Sequence, residues 1–417
     1  MKKIRLGVFG TQRGDAIINC CRCMDNVKVV ALCDKNDVVM EIPKQKLEDA
    51  GIALYHNFDD FIRHDMDAVI LVNYANEHTP FAIKAMKAGK HVFSEVLPVQ
   101  TMAEAVELIE TVEETGMIYA YDENYCYLRN LYEMRRLYRQ GEIGELEYAE
   151  GEYLHNCEEM WPVLTKGDPN HWRNNMYSTY YCTHSLGPII HITGLRPVRV
   201  TGFETSKNAR GMRVGRKGSL LGIEMVELEN GALVKSIHGE LYKDSNWHCV
   251  YGSKGRMETS RKDSEDIEKN KIFINVDEYP GQYGETNIRT YRTRREFDDR
   301  IDGTDISNMD YYSLYHFVQK ILGNPEADVI DVYEAMDMCL PGIFAYRSIL
   351  VGNVPMDIPN LRNKDEREKW RNDTACNDPE IAGDMLLPTY SRGEMEIDPG
   401  IYEYIKKLYE EAEHEED

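Results

Sequence analysis

Positive charge is scarce in this 417-residue chain: 49 Lys and Arg stand against 72 Asp and Glu, a formal charge of −23. A nucleic-acid partner needs a basic face for the phosphate backbone, so that class is excluded. Part of the acidic excess lies in the tail EEAEHEED (410–417), which reads as a solvated helix end. Long apolar runs are also missing. No stretch of about 18 apolar residues occurs, so no transmembrane helix and no membrane partner is expected. KKIRLGVFG begins like a secretory leader but passes at once into a short β-branched run ending in glycines, without an h-region or cleavage site. The 10 cysteines are scattered, and CCRC (20–23) lacks the paired spacing of a zinc centre, so no metal is expected. The expectation is a cytoplasmic protein whose reduced thiols serve as small buried apolar residues.

What is present points to two domains, because the chain is too long for one core. Over residues 1–122 short apolar runs alternate with helical patterns. IRLGVFG (4–10), VKVVALCD (27–34), AVILVN (68–73), HVFSEV (91–96) and MIYAYDE (117–123) read as strands; 15–24, 77–89 and 101–115 read as helices. That alternation predicts parallel strands with right-handed crossovers, an α/β doubly wound Rossmann sheet. After about residue 123 a helix (128–140) leads into alternating strands at 142–156, 198–205, 219–230, 232–241 and 248–259. Glycine turns separate them, as in a large open antiparallel sheet, and helices at 307–322 and 331–351 flank it. The predicted division is 1–122, 123–360 (an α+β substrate and oligomerisation domain) and a C-terminal extension at 361–417.

A strand, a glycine turn and a helix at the start, with an acid closing the second strand, suggest a dinucleotide site. The loop GVFGTQRGD places Gly7, Gly10 and Gly14 out of GxGxxG spacing, so alone it says little. Asp34 adds to it: an acid at that strand end accepts ribose hydroxyls and repels a 2′-phosphate, which favours NAD over NADP. Its alternative is a cap on a following helix in DKNDVV. Arg13 has two readings, contact with the pyrophosphate or a solvent-facing side chain.

NYANEHTPFAIKAMKAGKHVFSEVLP (73–98) resembles the Gfo/Idh/MocA oxidoreductase family, a nicotinamide domain followed by an antiparallel-sheet domain, and the likeness covers most of residues 1–355. In that family the AGKHV strand leads to Glu-Lys-Pro, whose lysine helps move a substrate hydroxyl proton. Here the place reads Glu95-Val96-Leu97-Pro98, without the lysine. ENYCY (123–127), GEYLHN (151–156), HWRNNMY (171–177) and YYCTHSLGP (180–188) follow in the order found in NAD-dependent glycosidases of the α-N-acetylgalactosaminidase type. The segment between Asn156 and His171 is shorter than theirs, which leaves the sugar open.

The resemblance implies bound NAD⁺ as a transient oxidant at the sugar 3-position, elimination across the 2-position, water addition and re-reduction, with a carbohydrate or glycoside as substrate. It implies catalytic roles for His184 at the 3-hydroxyl and Tyr153 at the 2-proton, beside Tyr181 and His155. Tyrosine and histidine suit proton traffic in both directions near neutral pH. Tyr153 and His155 share one face of a strand at i,i+2, and Tyr181 and His184 are neighbours at i,i+3 if a helix opens there; ordinary packing is the alternative for all four. The implied cofactor set is Gly10, Thr11, Gln12, Arg13, Asp34, Asn73, His78, Glu95 and Asn124, and the substrate set Trp172, Arg173, Tyr127 and Tyr177. His78 has helix capping as its alternative. Members of the family associate through the open sheet face, so a homo-oligomer is expected. Two other functions stay open: a sugar dehydrogenase with net NADH production, and an inactive NAD-binding regulatory or scaffold protein.

Overall fold

The computed structural model describes residues 3–35, 39, 40, 45, 51–261, 271–277 and 286–415. The chain forms two compact units: Met1–Glu133 with Arg292–Met336 and Leu361–Asn372, and Met134–Tyr291 with Asp337–Asn360 and Asp373–Asp417.

In the first unit six strands pair in parallel: β1 (Ile4–Phe9), β2 (Val27–Cys33), β3 (Ala53–Tyr55), β4 (Ala68–Leu71), β5 (His91–Glu95) and β6 (Tyr119–Asp122). Their order is β3-β2-β1-β4-β5-β6. All four residues of β4 are buried, as a strand covered on both faces requires. The order reverses between β1 and β4, the switch point at which doubly wound sheets take ligands. The helix after β1 runs Thr11–Arg22, four residues ahead of the expected Asp15 start. Gly10 turns the chain directly into it at φ 94°, and the Asp34 carboxylate, arriving from the end of β2, accepts from Thr11 N at 2.8 Å. No local pattern shows a cap supplied from a neighbouring strand. A Thr101–Glu104 capping box starts the helix Met102–Thr115 near its expected place.

The second unit is built on a nine-stranded sheet: β7 (Leu146–Leu154), β8 (Pro197–Glu204), β9 (Leu221–Leu228), β10 (Leu233–Gly239), β11 (Ser245–Gly252), β12 (Gly255–Thr259), β13 (Lys271–Asp277), β14 (Thr286–Arg292) and β15 (Met356–Asp357). The order is β14-β13-β12-β11-β7-β10-β9-β8-β15. The stretch 248–259 resolves into the hairpin β11–β12 across Ser253-Lys254. The sheet is not antiparallel throughout, because β10 runs parallel to β7, with Leu233 beside Tyr148 and Gly239 beside Leu154. After β7 the chain leaves the sheet for the helical stretch 158–193 and returns as β8, which makes that register possible. The helix Thr183–Thr193 lies on β7, β10 and β11, and residues 183–192 are all buried.

The expected boundaries at 122 and 360 do not match these units, and the extension 361–417 is divided between them. Arg367, 1% exposed, holds Glu113 through two bonds of 2.6 and 2.8 Å, and Arg371 holds Glu110 through two of 2.8 Å, which ties 361–372 to the first unit. Further on, Glu204 accepts from Ser391 N at 3.1 Å and Tyr402 Oη donates to Gly215 O at 2.8 Å, so the remainder belongs with the second. All ten cysteines are free thiols, nine of them buried. Among the described residues no helix is long and apolar enough to cross a membrane.

Candidate active site

The expected cofactor residues collect at the ends of the parallel strands of the first unit. Gly10 has no room for a side chain, since a Cβ there would stand 2.6 Å from both Asn73 N and Val72 O. The backbone thus turns tightly before a helix whose own N-cap residue, Gly10, brings no side chain to its start, an arrangement that suits a pyrophosphate. Asp34 Oδ2 accepts from Thr11 Oγ1 at 3.2 Å as well as from Thr11 N, so the acid braces this turn. The helix that DKNDVV would open falls largely outside the described residues. Gln12 is exposed. Arg13 Nη2 pairs with Glu95 Oε1 at 2.5 Å and reaches Asp310 Oδ1 at 3.4 Å, two acidic partners that the sequence does not announce.

Asn73 and Asn124 each bury an Oδ1 without a hydrogen-bond partner among the described residues, an acceptor suited to a ligand N–H or O–H. Glycine turn, helix N-terminus, bracing acid and unsatisfied acceptors fit NAD. His78 is 1% exposed, with Nδ1 3.0 Å from Leu97 O and Nε2 3.2 Å from Asn73 O, and burial lowers its pKa. It secures the backbone of Asn73 and of the loop after β5. Tyr127 lies in the core of this unit, its hydroxyl donating to Asp328 O at 2.8 Å.

In the second unit four residues expected from separate motifs meet. The rings of Tyr153 and His184 stand edge to face with centroids 4.7 Å apart, and Tyr181 meets His184 at 5.2 Å. Tyr181 is 6.4 Å from Tyr153, and His155, just beyond the end of β7, is 6.1 Å from it. His155 Nδ1 lies 3.3 Å from Asp244 Oδ2. The Arg173 guanidinium stacks 4.5 Å from the Trp172 ring and 5.9 Å from that of Tyr181, so Arg173 reaches the cluster and Trp172 packs behind it. Tyr177 does not join it: it is buried against Tyr346 with ring centroids 4.3 Å apart, and burial pushes its phenol well up.

The sheet supports this cluster through features the sequence reading passed over. Gly151 on β7 lies directly beneath the Ser185 carbonyl, and Gly222 on β9 beneath that of Ser178; a Cβ at either position would overlap the oxygen. A glycine inside a strand is the available sign of such an approach. His248 Nε2 meets His184 O at 3.2 Å and His238 Nε2 meets Ser178 O at 2.9 Å, pinning both ends of the segment. Burial lowers His248 to about 4 and His238 to about 3. Both are held neutral in the fold while the unfolded chain protonates near 6.5, so their stabilisation is complete above pH 6.5 and is lost as pH falls toward 3–4. A melting temperature that drops between pH 6.5 and 4, with a shallower drop in His248→Gln, is the expected result; a flat profile in the parent would contradict it.

Residues 4–123 match the family described as "Oxidoreductase family, NAD-binding Rossmann fold" (GFO_IDH_MocA). A "Glycosyl hydrolase family 109 protein" from Solibacter usitatus is 26% identical over 407 residues, covering 88% of this chain and 89% of the relative. "Glycosyl hydrolase family 109 protein 1" from Bacteroides thetaiotaomicron is 24% identical over 409 residues, covering 87% and 85%. Among solved structures, myo-inositol 2-dehydrogenase from Lactobacillus plantarum superposes with a TM-score of 0.66 at 19% identity, covering 86% of this chain and all of that one, a likeness of fold. Residues 4–123 therefore match the NAD-binding Rossmann domain of the Gfo/Idh/MocA oxidoreductase family, in a chain similar over most of its length to glycosyl hydrolase family 109 proteins.

Proposed function

We propose that the protein hydrolyses a glycoside by a redox-neutral elimination and addition at the cluster Tyr153, Tyr181 and His184. The carrying observation is that cluster itself: ring centroids of 4.7, 5.2 and 6.4 Å bring two phenols and an imidazole together from two chain segments. The similarity to glycosyl hydrolase family 109 proteins supports the same reading. The Val96 side chain is 4% exposed and apolar, so the place of the family lysine carries no proton, and that work falls to the cluster.

Bound NAD supplies a reversible oxidation at the sugar 3-carbon. His184 accepts the 3-hydroxyl proton during that oxidation and returns it at the end. The 3-ketone acidifies the neighbouring C2–H, and Tyr153 takes that proton as the bond from C1 to the leaving group breaks; the leaving group takes its own proton from solvent, which regains one when water adds to C1. When water adds to C1 of the resulting enone, Tyr153 gives a proton back to C2. Tyr181 packs against the His184 ring and borders the Arg173–Trp172 stack, which lines the sugar site. His155, beside Asp244, stands next to Tyr153 as a second polar group. Phe203, Leu233 and Phe273 are 43%, 45% and 37% exposed on the sheet, which supports self-association through its open face.

The test is a panel of chromogenic α- and β-glycosides with NAD in D₂O. Aglycone release without net rise at 340 nm, with deuterium entering at the sugar 2-position, is expected. Substrate-dependent accumulation of NADH would identify a sugar dehydrogenase instead, and cleavage with the 2-proton fully retained would exclude the elimination.

A further inference from the structure

Three strands of the first unit end in loops that carry expected cofactor residues. β1 passes into the helix bearing Arg13, β5 ends at Glu95, and β6 runs into the turn Asn124–Tyr127. A fourth element joins them from far along the chain, the helix Asn308–Ile321, capped by Ser307. Its Asp310 is 2% exposed. Asn124 Nδ2 donates to Asp310 Oδ1 at 2.7 Å across 186 residues of sequence. Arg13 donates to the same carboxylate through Nη1 at 3.5 Å and Nη2 at 3.4 Å, and on its other side it holds Glu95.

This geometry has two consequences. A carboxylate only accepts hydrogen bonds, so Asp310 takes the NH₂ side of the Asn124 amide and fixes the direction of its oxygen. That oxygen is the buried Oδ1 without a partner among the described residues. Held between Glu95 and Asp310, Arg13 fastens the first turn of the helix Thr11–Arg22 to the end of β5 and to the helix Asn308–Ile321. Asp122, fully buried nearby, is pushed well above the usual carboxylate range by burial, then by Asp310 and Glu95.

We propose that Asp310 is a positioning residue for NAD: it orients the Asn124 amide and anchors Arg13, so that the loops after β1 and β6 are set for the dinucleotide before it binds. Asp310 lies outside residues 4–123, so a nucleotide-binding fragment cut at that boundary would lack it.

The experiment measures NAD affinity of the full chain by calorimetry, with no sugar present, so it is independent of the proposed hydrolysis. Asp310→Asn makes the partner amide ambiguous and removes the negative charge facing Arg13, and a dissociation constant raised about tenfold or more is expected. In an Arg13→Ala/Asn124→Ala background the same Asp310→Asn change should move the constant less than about twofold, a loss of coupling that a merely structural role would not produce. Unchanged affinity in the single variant, or a full additional loss in the combined background, overturns the proposal. If Asp310→Asn does not fold, Asn124→Leu decides: a constant raised about tenfold supports it and an unchanged one overturns it.

Discussion

Replacing His184 by alanine is expected to lower glycoside turnover by roughly 10²–10⁴-fold, the usual worth of a positioned acid–base group. The imidazole is 5% exposed, flanked edge-on by Tyr153 and Tyr181, and its own backbone carbonyl is held by His248. Its loss therefore removes the proton carrier without loosening the turn that bears it. The affinity for NAD should stay within about twofold, since the variant touches no group that braces the nucleotide turn. Calorimetry and aglycone release on the same preparation check both statements. Turnover at the parent rate would remove His184 from the mechanism and leave the NAD site as it stands.

The second large effect is expected from a change that removes no functional group. In Gly151→Ala the new methyl would overlap the Ser185 carbonyl oxygen and stand 3.3 Å from Ile189 Cδ1. Backbone oxygen does not give way as a flexible side-chain end does, so the helix Thr183–Thr193 must lift from β7. A destabilisation of about 1–3 kcal/mol follows from overpacking of this kind. Because that helix carries His184 in its first turn, turnover should fall at least about tenfold even where the variant is fully folded. Thermal melting and turnover, measured on Gly151→Ala beside the parent, separate the two losses. Parent-like activity would show that close approach of the helix to the sheet is not needed for the site.

Much of this site is legible in the sequence because local chemistry repeats with a fixed period. The i,i+2 spacing of Tyr153 and His155 brought their rings to 6.1 Å, although β7 ends at Leu154 and leaves His155 just beyond it. The i,i+3 spacing of Tyr181 and His184 brought those rings together, although the helix begins at Thr183 and leaves Tyr181 just outside it. Val96 in place of a lysine was visible in four letters. Tyr127 shares a motif with Asn124, and Tyr177 one with Trp172 and Arg173, and nothing in spacing tells a buried packing tyrosine from one that lines a site.

Periodicity of 2 and 3.6 residues determined the elements along the chain and the closeness within the pairs Tyr153–His155 and Tyr181–His184, since each depends on residues close in the chain. The meeting of the two pairs did not follow from it. Tertiary structure alone decided what meets across long separations. Asp310 reaches Asn124 over 186 residues, Arg367 reaches Glu113 over 254, and β10 lies parallel to β7 after the chain has left the sheet and come back. Such pairings come from charge complementarity, hydrogen-bond direction and the space freed by Gly151 and Gly222, and none of these leaves a repeat for the sequence to display.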